Sequence, residues 1–102
     1  MTIFELHADI CKTLAHPARL RIIAELRDGE LAAGEIARRL GVHKANVSQP
    51  LGVMRQKGIL QARRDGLNVF YSLTSQKVIQ ACELMREVLL EQVARRQEIL
   101  QG

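Results

Sequence analysis

The sequence predicts a single, mainly α-helical domain of the α+β class, with five helices and one β-hairpin. The chain has 102 residues and is 47% hydrophobic, which suffices for one core but is short for two domains. Aromatic residues make up only 3% and Pro occurs twice, a composition that favours helices packed on helices. Apolar and polar residues alternate over residues 60–73, as they do in a hairpin.

Apolar residues at helical spacing predict a first helix over residues 3–14. His16-Pro17 indicates the start of a second helix, because Pro is tolerated at the first helical position and His16 would occupy the cap position. Asp28-Gly29 ends that helix. Its buried face is expected to consist of Leu20, Ile23 and Leu26.

Two short helices follow, over residues 33–40 and 44–57. Each is followed by a glycine, Gly41 or Gly58, which can adopt the left-handed conformation that ends many helices. Only three residues separate the two helices, so their axes must cross steeply, as in a helix-turn-helix. The apolar residues expected to share the resulting core are Ile36, Leu40, Val42, Val47, Leu51 and Met54.

Residues 60–73 predict a β-hairpin that turns at Asp65-Gly66, since Gly accepts a positive φ there at low cost. A last helix over residues 75–101 would begin at a Thr74 or Ser75 cap. Its apolar stripe has no partner within so small a domain, which predicts that a second copy of the chain covers it. The stripe consists of Val78, Cys82, Met85, Leu89 and Val93.

The charge distribution indicates a polyanionic partner. The formal net charge is +4, and no acidic residue lies between Glu35 and Asp65. That stretch contains seven basic residues: Arg38, Arg39, Lys44, Arg55, Lys57, Arg63 and Arg64. Arg38 and Arg39 are equally compatible with phosphate contact and with simple solvation.

The polar face of the fourth helix suits the major groove of double-stranded DNA. Gln49 can offer both amide groups to an adenine edge, Ser48 can reach a base or a phosphate, and Lys44 can meet a phosphate. The alternative is an ordinary solvated face, and the hairpin charges could merely solubilise an edge strand. The predicted DNA-binding residues are Lys44, Asn46, Ser48, Gln49, Arg55, Arg63, Arg64 and Asn68.

The N-terminus lacks a signal-peptide pattern, and no apolar run approaches the roughly 20 residues needed to span a bilayer. A cytoplasmic location without membrane contact is therefore expected. The two cysteines, Cys11 and Cys82, are too few for a disulfide scaffold and are expected to be thiols.

Four segments resemble the ArsR/SmtB family in their order along the chain: Lys12–Leu20, Ala37–Gly41, Asn46–Leu51 and Arg63–Gly66 with Tyr71–Leu73. The resemblance implies one winged helix-turn-helix domain over residues 1–102. Helices at about 3–14 and 75–101 would dimerise, the helix-turn-helix would span about 33–57, and the wing about 60–73. Members are typically homodimeric repressors that leave an inverted-repeat operator when they sense a metal ion, metalloid or thiol-reactive signal.

The sequence departs from the family pattern in three places. Ala32 and Gly34 stand where metal-sensing members carry a Cys-x-Cys pair, and the last helix contains no histidine for a zinc site. Pro50 stands where the family more often has histidine, and it is expected to kink the recognition helix because it removes a hydrogen bond to the Asn46 carbonyl.

Cys11 and Cys82 are the remaining candidates for effector sensing. The resemblance packs their two helices together at the dimer interface, where an oxidant, reactive sulfur or a thiophilic metal ion or metalloid could link the sulfurs. His7, one turn before Cys11, is a possible third metal ligand. The alternative is that both cysteines only fill the core and that the regulator has no cysteine sensing.

Two other classes of protein are less compatible with the sequence. A thiol oxidoreductase would be expected to carry a Cys-x-x-Cys pair, which is absent, and a module that binds only protein would not need a charged wing. The sequence therefore predicts no enzyme, no catalytic residue and no required cofactor.

Overall fold

The computed structural model describes the backbone of residues 1–101 and the side chains of residues 1–99. The elements in chain order are α1 (Ile3–Leu14), α2 (Pro17–Glu25), β1 (Leu31–Ala32), α3 (Ala33–Leu40), α4 (Ala45–Gln56), β2 (Leu60–Asp65), β3 (Asn68–Leu73) and α5 (Gln76–Gln101). The mainly α fold with a hairpin is therefore confirmed.

The sheet has three antiparallel strands in the order β1-β3-β2, so the prediction of an isolated hairpin was incomplete. Strand β1 consists of two residues, Leu31 and Ala32, which pair with Tyr71 and Phe70 of β3. Two residues are too short to show an alternating pattern, which is why the sequence gives no sign of this strand. The pairing ties the base of the hairpin to the start of α3.

The core lies between the helix-turn-helix, α2 and the inner face of the sheet. Its fully buried side chains include Ile22, Ile23, Leu26, Ile36, Val47, Leu51, Met54 and Leu60. Two residues predicted to be buried are not: Leu20 is 36% exposed and Val42 is 42% exposed. Leu20 borders an open cavity beside α1 and α5, and Val42 lies in the turn after α3, where its backbone N–H donates to the Ala37 carbonyl.

Local signals explain how the helices begin and end. Thr2 and Glu5 form a capping box at the start of α1. His16 occupies the cap position of α2, as predicted, although its side chain makes no cap hydrogen bond. Gly41 ends α3 at φ +72°, and Ser75 Oγ accepts a hydrogen bond from the Lys77 backbone at the start of α5.

Helix α4 continues through Pro50, which is buried within it. None of the helices over residues 1–101 combines the length and apolarity that crossing a membrane requires.

Candidate nucleic-acid interface

Helix α4 has one buried and one exposed face. Val47, Leu51 and Met54 are buried against the rest of the domain. Packing of this face fixes the orientation of the opposite face, where Lys44, Asn46, Ser48, Gln49 and Arg55 are all exposed. The predicted base-reading residues are therefore all exposed, with Asn46 and Ser48 on different sides of α4 because they are two residues apart.

The β2–β3 hairpin, here called the wing, also has two faces. The pairing places Arg64 opposite Val69 and Arg63 opposite Phe70, and successive side chains of a strand point to opposite faces. Arg63 and Arg64 therefore lie on different sides of the wing. Arg64 lies on the side of α4, where Arg55, Ala62, Arg64 and Val69 line a groove of 140 Å³.

A second groove of 250 Å³ lies between the wing, the start of α3 and the start of α4. Lys44, Ser48, Asn68 and Tyr71 contribute its polar side chains, and Val69 lines both grooves. The two grooves together are called the α4–wing groove below. It brings together five predicted DNA-binding residues: Lys44, Ser48, Arg55, Arg64 and Asn68.

Ion pairs engage four of the seven basic residues that cluster in the sequence, and two of these four are Arg38 and Arg39 of α3. Both contact the Glu35 carboxylate, and Arg39 also lies 3.3 Å from Glu25. Hydrogen bonds from Arg38 and then Arg39 lower the pKa of Glu35 to about 2, so this carboxylate stays ionised at neutral pH. These contacts hold the Arg38 guanidinium on α3 and the Arg39 guanidinium between α2 and α3.

Arg63 is also engaged within the domain. Its Nε donates to Glu30 Oε2 at 3.1 Å, a second nitrogen donates to Oε1, and its guanidinium lies 4.8 Å from the centre of the Phe70 ring. The hydrogen bond from Arg63 lowers the pKa of Glu30. Arg63 therefore braces the wing against the segment that leads into β1.

Lys57 pairs with Asp9 of α1 at 2.9 Å. The remaining members of the seven clustered basic residues are Lys44, Arg55 and Arg64. Across the side chains of residues 1–99, no carboxylate lies within 4.0 Å of these three cations. All three line the α4–wing groove. The geometry concentrates unneutralised positive charge in that groove, where it can attract phosphate.

Two α4 side chains already make hydrogen bonds. Ser48 Oγ donates to the Lys44 carbonyl at 3.3 Å. Gln49 Oε1 accepts a hydrogen bond from Nη2 of Arg19, a residue of α2, at 3.4 Å. The sequence prediction missed Arg19, because no local pattern shows that α2 reaches the exposed face of α4.

Cys11 and Cys82 both line an apolar cavity of 510 Å³ between α1 and α5. Cys11 is exposed, whereas Cys82 packs against the core. Burial raises the pKa of the Cys82 thiol, an effect that the charge of Arg86 opposes. His7 lines the same cavity, but no three His, Cys, Asp or Glu side chains among residues 1–99 are grouped so that they could hold a metal ion. The single chain therefore does not form the three-ligand site considered from the sequence.

The fold and the basic α4–wing groove define a winged helix-turn-helix DNA-binding protein. A sequence profile described as a helix-turn-helix domain matches residues 14–61. An uncharacterized HTH-type transcriptional regulator of Mycobacterium tuberculosis is 36% identical over 97% of this chain and 88% of its own length. The biofilm growth-associated repressor of Xylella fastidiosa is 36% identical over 83% of this chain and 75% of its own.

Solved structures agree with these relatives. The crystal structure of the mycobacterial regulator has a TM-score of 0.81 and covers 94% of this chain and 97% of its own. A homodimeric winged helix-turn-helix domain of Mycobacterium bovis, described as a possible ArsR-family transcriptional regulator, is 28% identical with a TM-score of 0.81 and covers 91% of this chain and 86% of its own. The chain belongs to the ArsR/SmtB family of transcriptional regulators and is not an enzyme.

Proposed function

We propose that the protein is a homodimeric repressor that binds an inverted-repeat operator through the α4–wing groove of each protomer. The observation that carries this proposal is the grouping of Lys44, Arg55 and Arg64, without carboxylate partners, beside the exposed face of α4. Helix α4 would enter the major groove, and the wing would lie along the adjacent backbone. The repressor activity is supported by the name of the Xylella relative.

The residues of the groove would have different roles. Gln49, Ser48 and Asn46 would read base edges, because they lie on the exposed face of α4. Lys44, Arg55 and Arg64 would contact phosphates, and Asn68 would contact the backbone from the wing. Arg63 would reach a phosphate only in competition with Glu30, so its main role is to hold the wing in place.

Dimerisation is supported by large exposed apolar residues on α1 and α5. Phe4 is 79% exposed, and the apolar surface continues along α5 from the cavity. The exposed residues are Ile3, Phe4, Leu6, Leu84, Met85, Val88, Leu89 and Val93. A second copy of the chain would cover this surface, as the homodimeric state of the Mycobacterium bovis neighbour suggests.

Gln49→Ala and Ser48→Ala should each reduce specific DNA affinity by about 1–3 kcal/mol, the worth of a direct hydrogen-bonded contact with a base edge. Thermal stability should change little, because both side chains are exposed. Binding would be measured by fluorescence anisotropy on duplexes selected from a randomised pool, with the exposed Gln61→Ala variant as control. Unchanged specific affinity in both variants would show that α4 is not the helix that recognises the base sequence.

Cys11 and Cys82 are proposed as the effector site, because they share one cavity between the two proposed dimerisation helices. With peroxide, the exposed Cys11 thiolate would attack an oxygen, forming a sulfenic acid and releasing hydroxide, which takes up a proton to become water. The Cys82 thiol would then attack the Cys11 sulfur, close a disulfide and release the oxygen of the sulfenic acid as water. A thiophilic metal ion or metalloid bound by both sulfurs is the alternative effector.

Cys11→Ser and Cys82→Ser should retain DNA binding but lose its release by peroxide, polysulfide or arsenite, measured with a gel shift and thiol mass spectrometry. The change in affinity of the wild type should be about 5- to 150-fold. A regulator without cysteine sensing is the second candidate, favoured by the packing of Cys82 against the core and its raised pKa. Normal release by the double serine variant would establish that alternative.

A further inference from the structure

We propose that Arg19 is a positioning residue that fixes the side-chain amide of Gln49 and thereby sets the base that Gln49 reads. The inference rests on the proposed function, in which α4 reads base edges. Arg19 lies in α2, outside the α4–wing groove, and its guanidinium bridges α1 and α4.

The bridge consists of two hydrogen bonds from two different nitrogens. Nη1 of Arg19 donates to the Thr13 carbonyl at 2.9 Å, and Nη2 donates to Gln49 Oε1 at 3.4 Å. The guanidinium is planar and rigid, so the first bond fixes the direction in which the second nitrogen points. Arg19 can therefore position the exposed Gln49 amide.

The anchor of this bridge is itself well held. Thr13 is only 6% exposed, and its hydroxyl donates to the Asp9 carbonyl one turn earlier in α1 at 2.8 Å. The Thr13 carbonyl belongs to the last turn of α1, where carbonyls lack partners within the helix. Arg19 satisfies this carbonyl, so the bond to α1 is expected to persist while Gln49 exchanges solvent for DNA.

Fixing the amide has a chemical consequence. A free glutamine amide can rotate by a half turn and present either its oxygen or its NH₂ group to a base. With Oε1 directed towards Arg19, Gln49 presents the two Nε2 donors on its free side. These donors suit a purine N7, a guanine O6 or a thymine O4, whereas cytosine presents only an N4 donor in the major groove.

Helix α1 has a second polar contact with the end of α4, the ion pair between Asp9 and Lys57. This contact does not involve Gln49. Asp9→Asn therefore provides a matched control, because it weakens the α1–α4 contact without freeing the Gln49 amide.

The experiment selects bound duplexes from a randomised DNA pool with the full chain and compares base preference at each position. Gln49→Ala should flatten the preference at one base pair in each half-site. Arg19→Met should reduce discrimination at that same base pair by about two- to tenfold, the worth of one hydrogen bond. Asp9→Asn should retain the wild-type preference, and Arg19→Met should add nothing in a Gln49→Ala background.

Arg19→Met also removes the donor to Thr13 and can lower stability, so Arg19→Lys is the second variant. Lysine can retain one bond to the Thr13 carbonyl but lacks the second, rigidly placed nitrogen that reaches Gln49. It should show a thermal midpoint near that of the wild type together with relaxed preference. A change in preference without a change in stability distinguishes positioning from a purely structural role.

Three results would overturn the inference. Wild-type base preference in both Arg19 variants would show that Gln49 needs no positioning. Equal weakening on all sequences with a smaller salt dependence would identify Arg19 as a phosphate contact. Unchanged base preference in Gln49→Ala would show that Gln49 does not read a base. The proposed roles of Gln49 and Arg19 would then both be wrong.

Discussion

Replacing Met85 and Leu89 with glutamate should convert the protein into a monomer and reduce its affinity for a two-half-site operator by about 100- to 10 000-fold. The two side chains are 60% and 51% exposed and lie one turn apart on the apolar face of α5. Burying a carboxylate in the dimer interface is unfavourable, since it loses hydration without gaining a partner. In a dimer, binding of one half-site brings the second protomer close to the other half-site. Separate monomers lack this high effective concentration, so their affinity for the whole operator is lower.

The matched control is the Gln76→Glu, Gln80→Glu pair, which adds the same charge to exposed positions on the side of α5 opposite Met85 and Leu89. Sedimentation velocity at micromolar concentration should show a dimer for this control and a monomer for the Met85 and Leu89 variant. Circular dichroism should show that both retain their helices. A dimer with normal operator affinity in the glutamate variant would place the interface elsewhere.

Replacing Lys44, Arg55 and Arg64 together with alanine should weaken binding to specific and random DNA alike. The plot of log affinity against log salt has a negative slope, and this slope should become shallower by about 0.9 for every phosphate that the variant no longer neutralises. The three side chains are exposed and line the α4–wing groove, so folding should be little affected.

The control for this prediction removes the same formal charge from three arginines that are held in ion pairs, Arg27, Arg38 and Arg39. Their replacement should change the salt slope less, because carboxylates already neutralise them. Binding would be measured at several salt concentrations on one duplex. Equal salt slopes in the two triple variants would mean that the arginines held in ion pairs contact DNA phosphates as much as Lys44, Arg55 and Arg64 do.

The sequence was informative wherever a feature depends on residues close together along the chain. Gly41 and Gly58 adopt φ values of +72° and +79° and end the two helices of the helix-turn-helix at the predicted places. The Asp65-Gly66 turn follows from equally local chemistry, with Gly66 at φ +64°. Helical periodicity was less informative about burial, since Leu20 borders a cavity and Ile22 is in the core instead.

Features that depend on distant residues could not be predicted. The seven clustered basic residues are equivalent in sequence, but Glu25, Glu30 and Asp9 come from other parts of the chain and neutralise Arg39, Arg63 and Lys57. The hydrogen bond from Arg19 to Gln49 spans 30 residues. Such pairs are decided by tertiary packing, so only the structure separates the groove cations from those that stabilise the domain.

The most direct test of the proposed function is a hydroxyl-radical footprint of the wild-type protein on a duplex selected from a randomised pool. Two protected half-sites should be related by two-fold symmetry, with centres about 34–36 Å apart if the two α4 helices enter successive major grooves on one face. Protection should disappear in the Lys44, Arg55 and Arg64 variant. A single protected half-site bound by a monomer, or full protection by that triple variant, would contradict the proposed function.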